Sequence, residues 1–213
     1  MKAILIRVGI DLEYGGWNAP VDPQSKQFVY VPIPESQRPL PRLARTYDEI
    51  VPALQRFSDA LRLDSNVSPT IPQRLMGHPM HLDPDFEHLT YGDNGGNRGA
   101  KLKDFLRGDL LVFYAGLRPI GVRKGLLYAL IGLFVVDRVE LSKDVPEERW
   151  HENAHTRKLK IGGPDIIVRA QKGKSLGGHF KSGQVGSLQN RPTEDARNFK
   201  CCTWSWVLQS SLI

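Results

Sequence analysis

Apolar residues recur along this chain in short runs, most of them with the composition of strands. Residues 3–10, Ala-Ile-Leu-Ile-Arg-Val-Gly-Ile, are rich in β-branched side chains and predict a buried strand ending at Asp11. Glu13 to Pro23 is packed with Gly, Pro, Asn and Asp and predicts a loop, followed by a second strand from Gln27 to Ile33. Prolines at 32, 34, 39 and 41 keep the chain extended to Arg42. Helical spacing first appears at Ile50, Leu54, Phe57 and Leu61, which predicts a helix over Tyr47–Leu61 with Thr46 as N-cap. Pro52 falls in its first turns and displaces that start by several residues. Residues 65–97 carry Pro, His, Asp and Gly with little periodicity and read as a long functional loop.

The second half repeats the strand pattern. After a helical turn at Lys101–Leu106, Leu110–Gly116 and Leu126–Val136 predict a β-hairpin closed by the glycine-rich loop Arg118–Gly125. Glu147–Lys158 can be helical behind Pro146, ending at Gly162-Gly163-Pro164, and Ile166–Val168 predicts a last strand. Beyond Lys172 the chain is rich in Gly, Ser, Lys and Gln, with apolar anchors only from Trp204 to Leu208. That tail is either disordered or docked by Trp204 and Trp206. The fold class expected is α+β, in one domain.

With 213 residues, 40% of them hydrophobic and 24% charged, the chain is long enough for one core and too short for two full domains. No apolar run reaches the eighteen residues of a membrane span, and the N-terminus lacks the apolar core of a signal peptide, so a cytoplasmic protein is expected. Cys201 and Cys202 are adjacent, a spacing unsuited to a disulfide or a zinc site. The net charge of +6 is unevenly placed: residues 1–97 carry −3, residues 98–174 carry +7 and residues 175–213 carry +2. A polyanionic partner would meet the middle of the chain.

Four constellations hold chemistry. Tyr14, Trp17, Asn18 and Asp22 put aromatic faces, an amide and a carboxylate beside glycines, as a base pocket requires, although Trp17 can equally cap the core while Asn18 and Asp22 satisfy turn amides. His78, His81, Asp83, Asp85 and His88 cluster within eleven residues and can act as acid and base groups or contact base and phosphate. Their spacing matches no established zinc or two-metal signature, and neither a metal nor another cofactor is expected. Tyr91, Asp93 and Arg98 surround a glycine-dense stretch that can cradle a phosphate but lacks the Lys-Ser/Thr pair of a P-loop. Asn153, His155 and Arg157, with Arg169 and Lys172 after them, read as a nucleic-acid face or as a solvated basic one. Tyr114 can line a pocket by strand alternation.

The chain resembles the third nucleotide modification associated domain family, and more remotely the PUA-like group that includes the EVE and ASCH domains. The resemblance rests on Tyr14-Gly15-Gly16-Trp17-Asn18-Ala19-Pro20 with Asp22-Pro23, His81-Leu82-Asp83-Pro84-Asp85-Phe86 leading to Leu89-Thr90-Tyr91-Gly92-Asp93, Gly108 to Leu117, and Asn153-Ala154-His155-Thr156-Arg157. It covers residues 1–175, leaving 176–213 as a poorly defined tail. It implies a curved β pseudo-barrel with flanking helices, a cleft that receives a base, and association with DNA base modification in phages or bacteria.

Three function classes follow. The first is a module binding nucleic acid, DNA foremost, or a nucleotide through one modified base, using Trp17, Asn18, Asp22, Tyr91 and Tyr114. The second is a transferase or hydrolase of DNA modification, with Asp11, Asp22, His81, Asp83 and His155 as acid, base or metal groups. Bringing three of His81, Asp83, Asp22, Asp93 and His155 within coordinating reach would favour it. The third is a structural partner seeded by Trp204 and Trp206, which would show an exposed apolar patch and no cleft.

Overall fold

In the computed structural model the apolar stretch from Leu110 to Leu141 forms the hairpin on which the remaining strands are laid. The structure describes residues 1–122, 125–161 and 163–177, apart from the side chains of Asn97 and Arg98, together with the backbone of 187–188. In chain order the strands and α-helices are β1 (Ala3–Arg7), β2 (Pro20–Val21), β3 (Ile33–Pro34), α1 (Val51–Leu61), β4 (Met80–His81), β5 (Thr90–Asp93), α2 (Asn97–Leu102), β6 (Leu110–Pro119), β7 (Leu127–Leu141), β8 (Ile166–Ala170), β9 (Leu176–Gly177) and β10 (Ser187–Leu188).

An eight-stranded mixed sheet follows the path β1-β6-β7-β8-β5, with β2 beside β6 and both β9 and β10 beside β7. β1 and β2 run parallel to β6, and the other pairings are antiparallel. The architecture is α+β, as the sequence predicts, with few helices. Among the described residues the path is open, from β1 at one edge to β5 at the other. The register breaks at Phe113/Tyr114 and at Val136/Arg138, bulges that bend the central hairpin.

The core gathers where the two halves of the chain meet. Ile6, Phe113, Phe134 and Ile167 are fully buried, and Phe86 stands edge-on to Phe113 and Phe134 with ring centroids 5.8 and 5.6 Å away. Each such side chain contributes about 1.5–3 kcal/mol by leaving water. Gly132 and Gly177 leave the space this ring needs, since a Cβ on either would lie 2.4 Å from Phe86 Cε1.

Several elements differ from expectation for local reasons. The helix expected from Tyr47 opens as a 3-10 turn, Tyr47–Ile50, and becomes α-helical only at Val51, with Pro52 in its first turn. Thr46 donates its N–H to the Glu49 carboxylate at 3.0 Å, which fixes the entry. Phe28 to Val31 is buried yet forms no ladder beyond a bridge from Val21 to Phe28, because Pro32 and Pro34 remove the donors a longer strand would need. The expected helix Glu147–Lys158 is a 3-10 turn, Glu147–Glu152, and Asn153 is extended at φ −149°. The long loop expected over 65–97 contains β4 and β5, and all four residues of β5 are buried.

Candidate functional site

Asp83 stands between two imidazoles that come from separate segments of the chain. β4 pairs with β3, His81 facing Ile33, and delivers the first ring. β5 pairs with β8, Gly92 facing Ile167, and so brings Asp83 beside the segment that follows the 3-10 turn, where His155 supplies the second. The ring centroids of His81 and His155 are 5.1 Å apart. Asp83 Oδ2 lies 4.0 Å from His81 Nε2 and 3.8 Å from His155 Nε2.

The outer nitrogens of both rings are held by other carboxylates. His81 Nδ1 is 2.8 Å from Glu35 Oε2, and His155 Nδ1 is 2.8 Å from Asp165 Oδ2. Lys158 Nζ also donates to Asp165 Oδ2 at 2.8 Å. A carboxylate on Nδ1 favours the proton there and leaves Nε2 as a bare acceptor. The other oxygen of Asp83 is committed: Oδ1 accepts the Gly92 N–H at 2.8 Å and the Asn153 side-chain amide at 3.2 Å. Asn153 in turn accepts the His155 N–H at 2.8 Å and donates to Thr90 Oγ1 at 3.1 Å. Glycine is required at 92, where a Cβ would lie 2.3 Å from His155 Cδ2 and 2.7 Å from Asn153 Oδ1.

Burial sets the electrostatics. The Asp83 side chain is 5% exposed, that of His155 8% and that of His81 17%, so the approach from solvent is on the His81 side. Burial raises the Asp83 carboxyl above the ordinary range, against the pull of both imidazoles, the Gly92 amide and Asn153. For His81, burial alone would lower the pKa, but the Glu35 hydrogen bond and the charge of Asp83 outweigh it and the group is raised. Burial opposes ionisation of Asp165 too, yet hydrogen bonds from His155 and Lys158 hold it at about 2.

Of the residues singled out in the sequence, His81, Asp83, Asn153 and His155 come together here. Asp11 caps a turn, accepting the N–H groups of Glu13 and Tyr14 at 2.9 and 2.7 Å, and pairs with Arg7. Asp22 accepts the Ser25 N–H at 2.9 Å; burial raises its carboxyl, and bonds from Ser25 and Gln24 outweigh this and lower it. Asn18 is buried and donates to the Gly116 carbonyl at 2.9 Å. Trp17 is half-buried against the core, whereas Tyr14 is 55% exposed. Tyr91 is buried with its ring 5.4 Å from Phe113, Asp93 is buried and accepts the Gly95 N–H, and Tyr114 is half-buried beside Tyr128.

The basic residues divide in the same way. Arg157 is buried and bonded to Asp85, and Arg169 is buried between Glu140 and Glu152. Lys172 is exposed on the rim of a surface depression shared with Arg107, Arg138 and Arg149. The Arg98 side chain, Cys201, Cys202, Trp204 and Trp206 lie outside the described residues.

Sequence reasoning passed over Glu35 and Asp165. Glu35 sits in a proline-rich stretch 46 positions before the histidine it holds, and no local pattern announces such a pairing. Asp165 follows Gly162-Gly163-Pro164, residues read only as a helix end. His81-Leu82-Asp83 with a later histidine was the available signal: it offers two donor side chains from one short segment and a third from elsewhere.

A family model described as nucleotide modification associated domain 3 matches residues 2–206. No curated protein and no solved structure matches the chain.

Proposed function

Because the chain belongs to the nucleotide modification associated domain 3 family, we propose that it modifies a nucleotide or a nucleic-acid base at a catalytic centre formed by His81, Asp83 and His155. The observation that carries this reading is the convergence of two imidazole Nε2 atoms on one buried carboxylate, each ring oriented from behind by a second carboxylate. A structural ion pair needs no such double orientation. A group that must receive or deliver a proton, or bind an electrophile, at a fixed position does.

Substrate capture is assigned to the loop around Tyr14. Its exposed ring can stack on a base, and Gly15 packs against Pro34, the neighbour of Glu35, which holds His81. The positive charge of residues 98–174 attracts the phosphates of DNA or of a free nucleotide. The bulged sheet, bent at Phe113/Tyr114 and Val136/Arg138, is compatible with a PUA-like pseudo-barrel around such a base.

Expression in a bacterial host followed by mass spectrometry of its nucleosides, from DNA, RNA and the free pool, tests the reading. A new nucleoside mass with the native chain, absent with Asp83→Asn, is the expected result. The exposure of Tyr14 favours one second reading, recognition of a modified base without chemistry. Binding of a modified oligonucleotide that survives Asp83→Asn, with no new nucleoside mass, would establish that reading in place of the first.

A further inference from the structure

We propose that His81, Asp83 and His155 bind one divalent first-row transition-metal ion, with His81 Nε2, His155 Nε2 and Asp83 Oδ2 as its protein ligands. The inference deepens the reading of this centre and rests on it. With a carboxylate on each Nδ1, each ring in its neutral form turns a bare Nε2 lone pair toward the Asp83 carboxylate oxygen. In their deprotonated forms the three groups are acceptors facing one another at 3.8 and 4.0 Å, all within 4.8 Å, too far apart for direct hydrogen bonds, and a cation between them offsets their repulsion. Ligands about 2.1 Å from a shared ion stand about 3.0–3.4 Å apart, so the two distances to Asp83 Oδ2 each close by about 0.4–1.0 Å when the ion is bound.

The surroundings fit a dication. Glu35, Asp83 and Asp165 bring three negative charges, and Lys158 on Asp165 offsets one. Two imidazoles and one carboxylate are the donors that zinc and non-haem iron(II) take, leaving coordination positions for water or substrate, and the opening beside His81 gives them access. A carboxylate on the non-ligating nitrogen of each ring is the usual support of ligating histidines.

The neighbouring group Asp85, Glu87 and His88 meets the same distance criterion and provides the contrast. Asp85 Oδ1 accepts the Glu87 and His88 N–H groups, and its Oδ2 is bonded to Arg157 at 2.7 Å. A guanidinium already supplies the positive charge that a metal would bring there.

The full chain, stripped with a chelator, is titrated anaerobically with zinc(II), iron(II), cobalt(II) and manganese(II), and bound metal is measured by elemental analysis after dialysis. The expected result is one equivalent per chain of at least one of these ions, with a cobalt(II) visible spectrum typical of nitrogen and oxygen ligands. His81→Ala and His155→Ala are expected to weaken binding more than 100-fold, Glu35→Gln and Asp165→Asn by about 10–100-fold, and His88→Ala not at all. Circular dichroism selects the folded variants. His81, at 17% the more exposed of the two histidines, provides the variant less dependent on core packing. No stoichiometric binding, binding unchanged in a folded His81→Ala, or binding lost in His88→Ala would overturn the proposal. Metal bound without any new nucleoside mass would instead sink the catalytic reading and leave the site standing; nucleoside modification by the metal-free protein would do the reverse.

Discussion

Arg157 lies 2.7 Å from Asp85 with both side chains buried, 5% and 0% exposed, so its guanidinium is an internal strut. It also donates through Nε to the His151 carbonyl at 2.9 Å, tying the segment that carries His155 to the loop that carries Asp83. Arg157→Ala is expected to destabilise the fold by about 3–5 kcal/mol, because a buried carboxylate is left without its partner. Chemical denaturation measures this, and the Arg157→Ala/Asp85→Ala double variant should lose less than the sum of the two single losses.

Gly92→Ala tests the packing of the centre without touching a titratable group. The added methyl meets His155, whose ring is held from behind by Asp165 and cannot retreat freely. Metal affinity is expected to fall at least tenfold, together with a stability loss of about 1–3 kcal/mol from overpacking. Native affinity in a folded Gly92→Ala protein would contradict the geometry given for His155.

Tyr14→Ala probes capture separately from chemistry. The ring is 55% exposed, so stability should change by no more than about 0.5 kcal/mol. Affinity for an oligonucleotide is expected to drop roughly 5–150-fold, the equivalent of about 1–3 kcal/mol of lost stacking. Fluorescence titration at fixed salt reads it out.

Acid sensitivity is expected from Glu152. Burial alone would raise its carboxyl, but hydrogen bonds and charge from Arg169, with Arg149, outweigh this and hold it below its ordinary 4.5. A depressed folded-state value means the stabilisation is complete above that pH and is lost as the pH falls through the lower folded value. The urea midpoint of the native chain should therefore decline below about pH 4.5, and Glu152→Gln should decline less steeply.

Elements whose signals are local were legible in the sequence: the first strand, the central hairpin, the strand at Ile166–Val168, and the helix with Pro52 in its first turn, whereas β9 and β10 beyond it were not. β5 was hidden because Thr90-Tyr91-Gly92-Asp93 has the composition of a turn, while its burial comes from pairing with β8, 73 to 79 positions on. Tyr91 was read as a pocket ring for the same reason: strand burial, invisible locally, turns it toward Phe113. At the site, His81, Asp83, Asn153 and His155 were visible as chemistry but not as one constellation. Glu35 and Asp165 could not be found, because a carboxylate that orients a distant imidazole leaves no periodicity.

The segments that meet at this centre are spread from Glu35 to Asp165. A chain growing on the ribosome exposes Glu35, His81 and Asp83 long before the two residues that complete the set, and β8, which seats them, is made later still. Assembly of the centre therefore waits for β8. Shortened products ending before residue 166 would lack β8, the strand that pairs with β5, and with it the support that holds the centre together.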